Sequence, residues 1–212
     1  MTDTPLSPHR RRKHAAMVDT ILETARSIMR EQGVAALTMQ ELARRLDLRA
    51  PSLYHYFAGK LDLYDALFRL GFSLYGADLE RSLEGAESWQ DMLRRAFAAY
   101  LEFAQHNPEL YQLCFERPVP GFVPSAESLQ LSFALLEGAY RRMRALKDGL
   151  RTDLSPEQVV DLSIAIMHGI TAMHLANEPG LPAGQGRFAS LMPAALAVLE
   201  SAWSPGQAPQ PE

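Results

Sequence analysis

Residues 37–63 read LTMQELARRLDLRAPSLYHYFAGKLDL, a stretch that predicts two short helices joined by a tight turn. Thr38 and Glu41 have the spacing of a capping box, in which each side chain satisfies a backbone amide at the start of a helix. A break at Asp47 precedes Pro51, which is tolerated in the first turn of a helix because its missing amide would have no partner there. Two short helices in this order indicate a helix-turn-helix, the geometry of many DNA-binding domains.

The residues around this stretch predict a third, longer helix and an end to the domain. Residues 12–32 carry apolar side chains at intervals of three and four, as an amphipathic helix requires. Gly33 follows in the position that favours a C-cap. The last of the three helices is expected over residues 51–56, and a new helical segment begins near Lys60. The helix-turn-helix domain is therefore predicted to occupy residues 12–62.

The rest of the chain also has helical periodicity and no pattern typical of a strand. The sequence predicts an all-α protein with an N-terminal three-helix helix-turn-helix domain and a C-terminal helical domain. The expected divisions are a flexible basic arm over residues 1–11, the domain at 12–62, a helical region at 63–203 and a disordered tail at 204–212. Further helices are expected near residues 60–81, 88–106, 108–115, 124–147, 155–177 and 187–203.

Charge is distributed unevenly along the chain, although the total is only −4. Residues 1–60 contain ten Lys or Arg and six Asp or Glu, a balance of +4, whereas residues 61–212 contain eleven and nineteen, a balance of −8. Only the basic N-terminal part suits binding to phosphate.

The location of the protein is expected to be cytoplasmic. The single cysteine, Cys114, excludes an internal disulfide framework. The first residues do not resemble a secretory signal, and no apolar run is expected to approach the ~20 residues that a membrane-spanning helix needs. No membrane partner is therefore predicted.

The stretch quoted above resembles the DNA-binding domain of the TetR family of bacterial regulators. The most specific part is Ser52-Leu-Tyr-His-Tyr-Phe57, followed three residues later by Lys60. One departure is Asp47, which stands where the turn commonly has glycine. Because aspartate tolerates a left-handed backbone better than most residues do, the predicted turn is unaffected.

The resemblance implies which residues read DNA bases. It assigns this role to the start of the third helix, with Gln40 reaching from the second helix. Arg49 is expected to bind a guanine through O6 and N7, whereas Ala50 and Pro51 offer only apolar contact, for example to a thymine methyl group. The predicted base-facing residues are Gln40, Arg49, Ala50, Pro51 and Ser52.

Another set of residues is expected to hold DNA phosphates. Tyr54, His55 and Tyr56 point in different directions from a short helix, so that all three cannot be buried; the alternative is that one packs inward and the others are incidental surface. Lys60 at a helix N-terminus opposes the helix dipole, a conflict that a bound phosphate would remove. Thr38 is a further candidate, although local capping alone explains it. The basic run over residues 9–14 is either a solvated charge run or another DNA contact.

The C-terminal region is expected to form a homodimer. Residues 155–177 carry apolar stripes on more than one side of the predicted helix, and such a helix must be covered all round. A monomer core would satisfy this requirement, but the resemblance implies that the last two long helices of each subunit form a four-helix dimer interface. A two-fold dimer also suits a pseudo-palindromic, double-stranded DNA operator.

The same resemblance implies a pocket for a small, largely apolar effector among the middle helices of region 63–203. Asn107-Pro-Glu-Leu-Tyr111 and Met167-His-Gly169 resemble a TetR subgroup whose C-terminal domain is named for a Trp-His-Gly motif, with Met167 in place of the tryptophan. His168 is either a polar contact for the effector or a hydrogen-bonded core histidine. The predicted ligand-binding residues are Phe72, Tyr75, Tyr100, Phe103, Tyr111, Phe115, Met143, Met167 and His168.

No catalytic residue, metal site or cofactor is predicted. His168 and His174 are six residues apart and do not share a helix face, and Cys114 has no Cys or His at ligand spacing. The expected function is a ligand-responsive transcriptional regulator, most simply a repressor. The competing class is an enzyme or small-molecule binding protein with an incidental helix-turn-helix.

Overall fold

The computed structural model describes residues 8–204, and every regular element in that range is helical, which confirms the all-α prediction. The helices are α1 (Pro8–Gln32), α2 (Met39–Arg45), α3 (Ala50–Leu53), α4 (Lys60–Leu83), α5 (Trp89–His106), α6 (Pro108–Tyr111), α7 (Ala126–Ala145), α8 (Pro156–Asn177), α9 (Gly186–Ala189) and α10 (Met192–Trp203). A 3-10 turn, Val34–Ala36, follows α1, and a π-helical turn, Gln112–Glu116, follows α6.

The chain forms two compact units. Among the described residues, the first unit contains 8–71 and 109–128, and the second contains 72–108 and 129–204. The first unit therefore includes a segment, 109–128, that the sequence-based division at residue 62 assigned to the C-terminal region.

Helix α1 supplies much of the core of the first unit. Its buried residues recur at intervals of three and four, with Ile28 and Met29 adjacent, and so lie on one face as predicted for an amphipathic helix. The helix begins at Pro8, earlier than expected, so residues 8–11 of the predicted flexible arm are helical; residues 1–7 of that arm lie outside the described residues. Gly33 follows α1 with φ of 89°, a backbone conformation that favours glycine. The buried residues of α1 are Ile21, Ala25, Ile28 and Met29.

Helix α2 is capped at its start by Thr38, whose hydroxyl accepts a hydrogen bond from the Glu41 amide over 3.2 Å. The other half of the predicted capping box is wrong, because the Glu41 carboxylate accepts hydrogen bonds from Arg44 and Arg45 instead. Two charged donors on the next helical turn outcompete one backbone amide for the carboxylate. After α2, Asp47 adopts a left-handed backbone with φ of 52°, as the sequence predicts.

Helix α3 is shorter than expected and ends at Leu53 rather than near Tyr56. The amides of Tyr56 and Phe57 both bond to the Leu53 carbonyl, so that residues 54–56 form a hydrogen-bonded turn. This turn directs Phe57 into the core, where only 6% of the residue is exposed.

The second unit contains the longest apolar helix, α8, which packs against α5, α9 and α10. Its predicted start is confirmed: Ser155 and Gln158 form a complete capping box. Pro193 lies in the first turn of α10, where a helix tolerates proline. Ser204, the last described residue, follows α10, and residues 205–212 of the predicted disordered tail lie outside the described residues.

Helix α8 shows that the expectation about apolar segment length is wrong. Its 22 residues, Pro156–Asn177, are long and apolar enough to cross a membrane by length and composition alone, contrary to the expectation that no segment reaches that length. Core helices of soluble proteins pass the same test. One side of α8 is buried within the second unit, including Ser163, Thr171 and His174, which are not residues that face lipid.

Candidate functional sites

The start of α3 and the turn after it form an exposed surface, which we call the α3 surface and define as Arg49, Ala50, Pro51, Ser52, Tyr54 and His55. Leu53, the last residue of α3, is fully buried and anchors the α3 surface to the core of the first unit. Arg49, Pro51, Tyr54 and His55 are exposed, and Ala50 and Ser52 are half-buried. The structure thus brings the predicted base-facing residues of α3 together on one accessible patch. Thr38 and Gln40, predicted from α2, are exposed as well.

The arginines of this region differ in what they contact. Arg44 and Arg45 both bind Glu41, with N–O distances of 2.8 and 2.9 Å, and these hydrogen bonds lower the pKa of the Glu41 carboxyl to about 2. Arg45 also bridges to Glu31 on α1 over 2.6 Å. The side chain of Arg49 makes no hydrogen bond or ion pair with any other described residue, although its backbone carbonyl accepts a hydrogen bond from the Ser52 amide. Arg49 is therefore the arginine of the three whose guanidinium is available to a ligand.

Tyr54, His55 and Tyr56 have different environments, as expected from their adjacent positions. Tyr54 is 55% exposed and His55 is also exposed, whereas Tyr56 is half-buried. The ring of Tyr56 lies against His14 of α1, with ring centroids 4.9 Å apart. The contact connects the turn of residues 54–56 to the basic N-terminal part of α1, where residues 9–14 are all exposed.

Lys60 has partners within the protein that the sequence did not reveal. Its ammonium group donates to the Ala35 carbonyl over 3.1 Å and lies 5.4 Å from the centre of the Tyr64 ring. Asp62 accepts a hydrogen bond from the Ala58 amide over 2.7 Å, which places a negative charge at the N-terminus of α4. A bound phosphate is therefore not needed to offset the unfavourable charge of Lys60. The predicted phosphate contact remains a prediction.

An aromatic cluster with one polar pair lies in the second unit. Tyr75 of α4 contacts the rings of Tyr100 and Phe103 at centroid distances of 5.6 and 5.4 Å. The Tyr100 hydroxyl is 2.9 Å from Nδ1 of His168 on α8. Burial raises the pKa of Tyr75 well above its usual value. We call these four side chains, Tyr75, Tyr100, Phe103 and His168, the tyrosine–histidine cluster.

The remaining predicted ligand residues fall into two groups. Phe72, Met143 and Met167 are buried in the second unit. Tyr111 and Phe115 belong to the first unit, where their rings lie 5.5 Å apart. The structure therefore does not bring the nine predicted ligand residues into one unit.

A buried hydroxyl on α8 was missed by sequence reasoning. Thr171 is fully buried, three residues after His168, and its Oγ1 has no hydrogen-bond partner among the described residues. Buried polar groups are nearly always paired in folded proteins, so an unpaired hydroxyl beside a candidate ligand cluster requires an explanation. No sequence signal distinguishes this threonine from a helical threonine that bonds to its own backbone.

A buried carboxylate in the first unit was missed as well. The side chain of Glu109 on α6 has no exposed surface, and it accepts hydrogen bonds from Arg26 and Arg30 of α1, each over 2.8 Å. The sequence shows only an acidic residue after Pro108, with no indication that it is buried.

Two sequence profiles match the chain. The profile of the N-terminal domain of the bacterial regulatory proteins of the tetR family matches residues 21–67. A profile described as the tetracyclin repressor-like C-terminal domain matches residues 93–204, slightly more than half of the chain. The two matches together include α2, α3 and both long C-terminal helices.

Individual proteins are similar over part or most of the chain. The HTH-type transcriptional activator FasR of Mycolicibacterium smegmatis is 29% identical over 96 residues, which is 45% of this chain and 44% of that protein. The chain spans about half or less of the length of the curated relatives it matches. The TetR-family regulator PfmR of Thermus thermophilus has a TM-score of 0.66 and 20% identity, over 85% of this chain and 94% of that one. A Rhodococcus protein of unknown function has a TM-score of 0.72 and 22% identity, over 89% and 95%. At these identities the two solved structures show the fold alone, whereas the profiles carry the assignment: the chain belongs to the TetR family of bacterial regulatory proteins.

Proposed function

We propose that this protein is a DNA-binding transcriptional regulator that acts as a homodimer on a pseudo-palindromic operator. The observation that carries the proposal is the exposed Arg49 at the start of α3, whose guanidinium has no partner among the described residues. A bidentate arginine is the commonest base-specific contact in the major groove. Tyr54 and His55 of the α3 surface, together with Lys60 at the start of α4, supply donors to phosphates. Because such a protein must reach DNA, we place it in the cytoplasm.

The homodimer is proposed to form through α8 and α10. Both helices expose large apolar side chains in the single chain: Leu162 is 42% exposed, Met173 46% and Val198 67%. Gly169 lies on the same exposed side of α8, and a Cβ built on it would meet no other atom within 4 Å. A second copy of the chain would cover these side chains, and two-fold symmetry would give two α3 surfaces that read two half-sites.

The effector is proposed to bind at the tyrosine–histidine cluster. The cluster combines apolar rings with a few polar atoms, which is the composition of a typical small-molecule site. The unpaired hydroxyl of Thr171, one helical turn from His168, would be satisfied by one oxygen or nitrogen atom of a ligand. We therefore propose a small, largely apolar molecule with a single hydrogen-bonding group.

Repression is the simplest mode of regulation for such a protein. An effector that favours a spacing of the two α3 surfaces other than the one the operator requires lowers the affinity for that operator and releases the protein. The similar protein FasR is named as an activator, so the direction of regulation needs its own experiment. In vitro transcription from a bound promoter, with and without the protein, distinguishes the two directions: a repressor lowers the transcript yield.

A binding experiment tests the whole proposal. Duplexes selected from a random library on the immobilised protein should yield a sequence with two related half-sites about 10 base pairs apart, or a multiple of that. The selection is done at low salt, where phosphate contacts are strongest. If no duplex is retained under these conditions, the protein is not a DNA-binding regulator.

A further inference from the structure

Glu109 connects α6 to α1 through two ion pairs. The carboxylate is buried, and its two oxygens each accept a hydrogen bond from a different arginine: Oε1 from Arg26 and Oε2 from Arg30. The Arg26 side chain is only 12% exposed and the Arg30 side chain 37% exposed. A buried carboxylate is tolerated only when its charge is paired in this way, so the three side chains fix one register between the two helices.

The segment that begins with Glu109 is also attached to α4. Asp65 accepts hydrogen bonds from the Ser125 amide over 2.7 Å and from the Ser128 hydroxyl over 2.7 Å. Gly71 allows an even closer approach, because a Cβ at this position would lie 2.5 Å from Sγ of Cys114. The segment 109–128 is thus packed and hydrogen-bonded into the first unit at both of its ends.

Helix α1 in turn supports the DNA-reading elements. It packs against α2, and α2 packs against α3, which carries the base-facing residues. A change in the position of α1 would therefore reach the α3 surface through two consecutive helix contacts.

We infer that Glu109 is a positioning residue for DNA binding, and that the Arg26–Glu109–Arg30 ion pairs hold α1 where the α3 surface is competent to bind. This inference rests on the proposed DNA-binding function. Glu109 has no contact with DNA in this arrangement, because its carboxylate is buried between the two arginines. It acts through α1.

The substitution Glu109→Gln tests the inference because three explanations give three different results. The variant removes one negative charge, so that electrostatics alone would strengthen binding to DNA. A purely structural role would lower the melting temperature but leave the affinity of the folded protein unchanged. A positioning role weakens binding by about fivefold, equally for every duplex, under conditions where circular dichroism shows a folded protein.

The matched control is Glu127→Gln. Glu127 belongs to the same unit, its side chain is 81% exposed, and its nearest cation is Arg69 at 3.9 Å. The control makes the same change of charge without breaking a buried pair. It should bind the selected duplex as tightly as the wild type, or slightly more tightly.

A second pair of variants covers the case in which Glu109→Gln does not fold. Arg30→Gln breaks one of the two ion pairs and leaves Arg26 on Glu109; Arg69→Gln removes the same charge from a side chain of nearly equal exposure, 38% against 37%. The inference requires Arg30→Gln to weaken binding several-fold more than Arg69→Gln does.

The outcomes separate the inference from the function on which it rests. If the wild-type protein retains no duplex, the proposed function fails and the inference fails with it. If the wild type binds and folded Glu109→Gln binds equally or more tightly, only the inference is overturned. If Glu109→Gln is unfolded and Arg30→Gln matches Arg69→Gln, the ion pairs serve stability alone and the inference is again overturned.

Discussion

The ammonium group of Lys60 donates a hydrogen bond to the backbone carbonyl of Ala35 over 3.1 Å. One turn later on α4, the Tyr64 hydroxyl donates to the Val34 carbonyl over 2.6 Å. Two side chains of α4 therefore hold the 3-10 turn that connects α1 to α2. The sequence predicts a phosphate contact for Lys60 from its position at a helix N-terminus, and the structure adds a role within the protein. The two roles predict different experimental results.

The substitution Lys60→Met separates these roles. Methionine keeps an unbranched apolar stem but has no donor, so the hydrogen bond to Ala35 is lost at a cost of about 1 kcal/mol in the free energy of unfolding. If Lys60 also binds a phosphate, affinity falls alike for all duplexes and the slope of log K against log salt decreases by about 0.9. Fluorescence anisotropy titrations at several salt concentrations measure this slope. An unchanged slope would show that Lys60 binds no phosphate and only stabilises the 3-10 turn.

Tyr64 predicts a stability difference that depends on pH. Burial raises the pKa of Tyr64 to about 12, against ~10 for an unfolded tyrosine. Because the folded pKa is the higher one, the neutral buried phenol contributes stability that is complete below pH ~10 and is lost as the pH rises towards 12. Tyr64→Phe should lower the free energy of unfolding at pH 8 by about 1 kcal/mol, and this deficit should shrink above pH 10. Urea unfolding of both proteins at pH 8, 10 and 11 checks this, and a constant deficit would contradict it.

Local sequence signals were sufficient for the elements that present the α3 surface. Pro51 indicates the start of a helix, and Asp47 adopts the left-handed backbone that the tight turn requires. The capping box of Ser155 and Gln158 at the start of α8 is likewise a contact between near neighbours in the sequence. In each of these cases the interactions form between residues at most four positions apart, so the sequence contains all the information that is needed.

The contacts that sequence reasoning missed join residues that are distant along the chain. Lys60 and Ala35 are 25 residues apart, and Arg26 and Glu109 are 83 apart. A short acidic or basic segment has the same pattern whether it faces solvent or a buried partner. The Glu41 carboxylate shows a related limit within one helix, because two arginines compete with the capping amide and only the folded structure shows which donor the carboxylate binds.

Arg49 should determine sequence preference, with Arg44 as its matched control. Arg49→Ala removes the proposed guanine contact and should cost about 1–3 kcal/mol on the selected operator while relaxing the preference at one base pair of each half-site. Arg44 is also exposed but is bound by Glu41, so Arg44→Ala should leave the preference unchanged. Repeating the selection from the random duplex library with each variant measures this. If the selection with Arg49→Ala returns the wild-type operator, with the same base preference as the wild type at every position, the proposed guanine contact is wrong.

Introducing a glutamate at either of two exposed apolar positions tests the proposed dimer interface. Val198→Glu would place an unpaired carboxylate against the partner's helices and should weaken the dimer by about 100-fold. Phe133 on α7 is similarly exposed, 62% against 67%, but lies outside α8 and α10. Phe133→Glu is therefore the control and should leave the dimer intact. Sedimentation equilibrium gives both dissociation constants. If Val198→Glu remains a dimer and Phe133→Glu dissociates, the interface includes α7 instead of α10.

Gly169 should be the point of closest approach between the two copies. Glycine within a helix costs about 1 kcal/mol relative to alanine, and in the single chain a Cβ here would meet nothing within 4 Å. Gly169→Ala should therefore stabilise α8 in a monomer but weaken the dimer, by about tenfold if the partner helix crosses directly over this residue. The control is Gly138→Ala on α7, where a Cβ would make only ordinary contact, at 3.6 Å from Arg142. This variant should leave dimerisation unchanged. Sedimentation equilibrium on the two alanine variants decides the point: a Gly169→Ala dimer as tight as the wild type would show that the helices cross elsewhere.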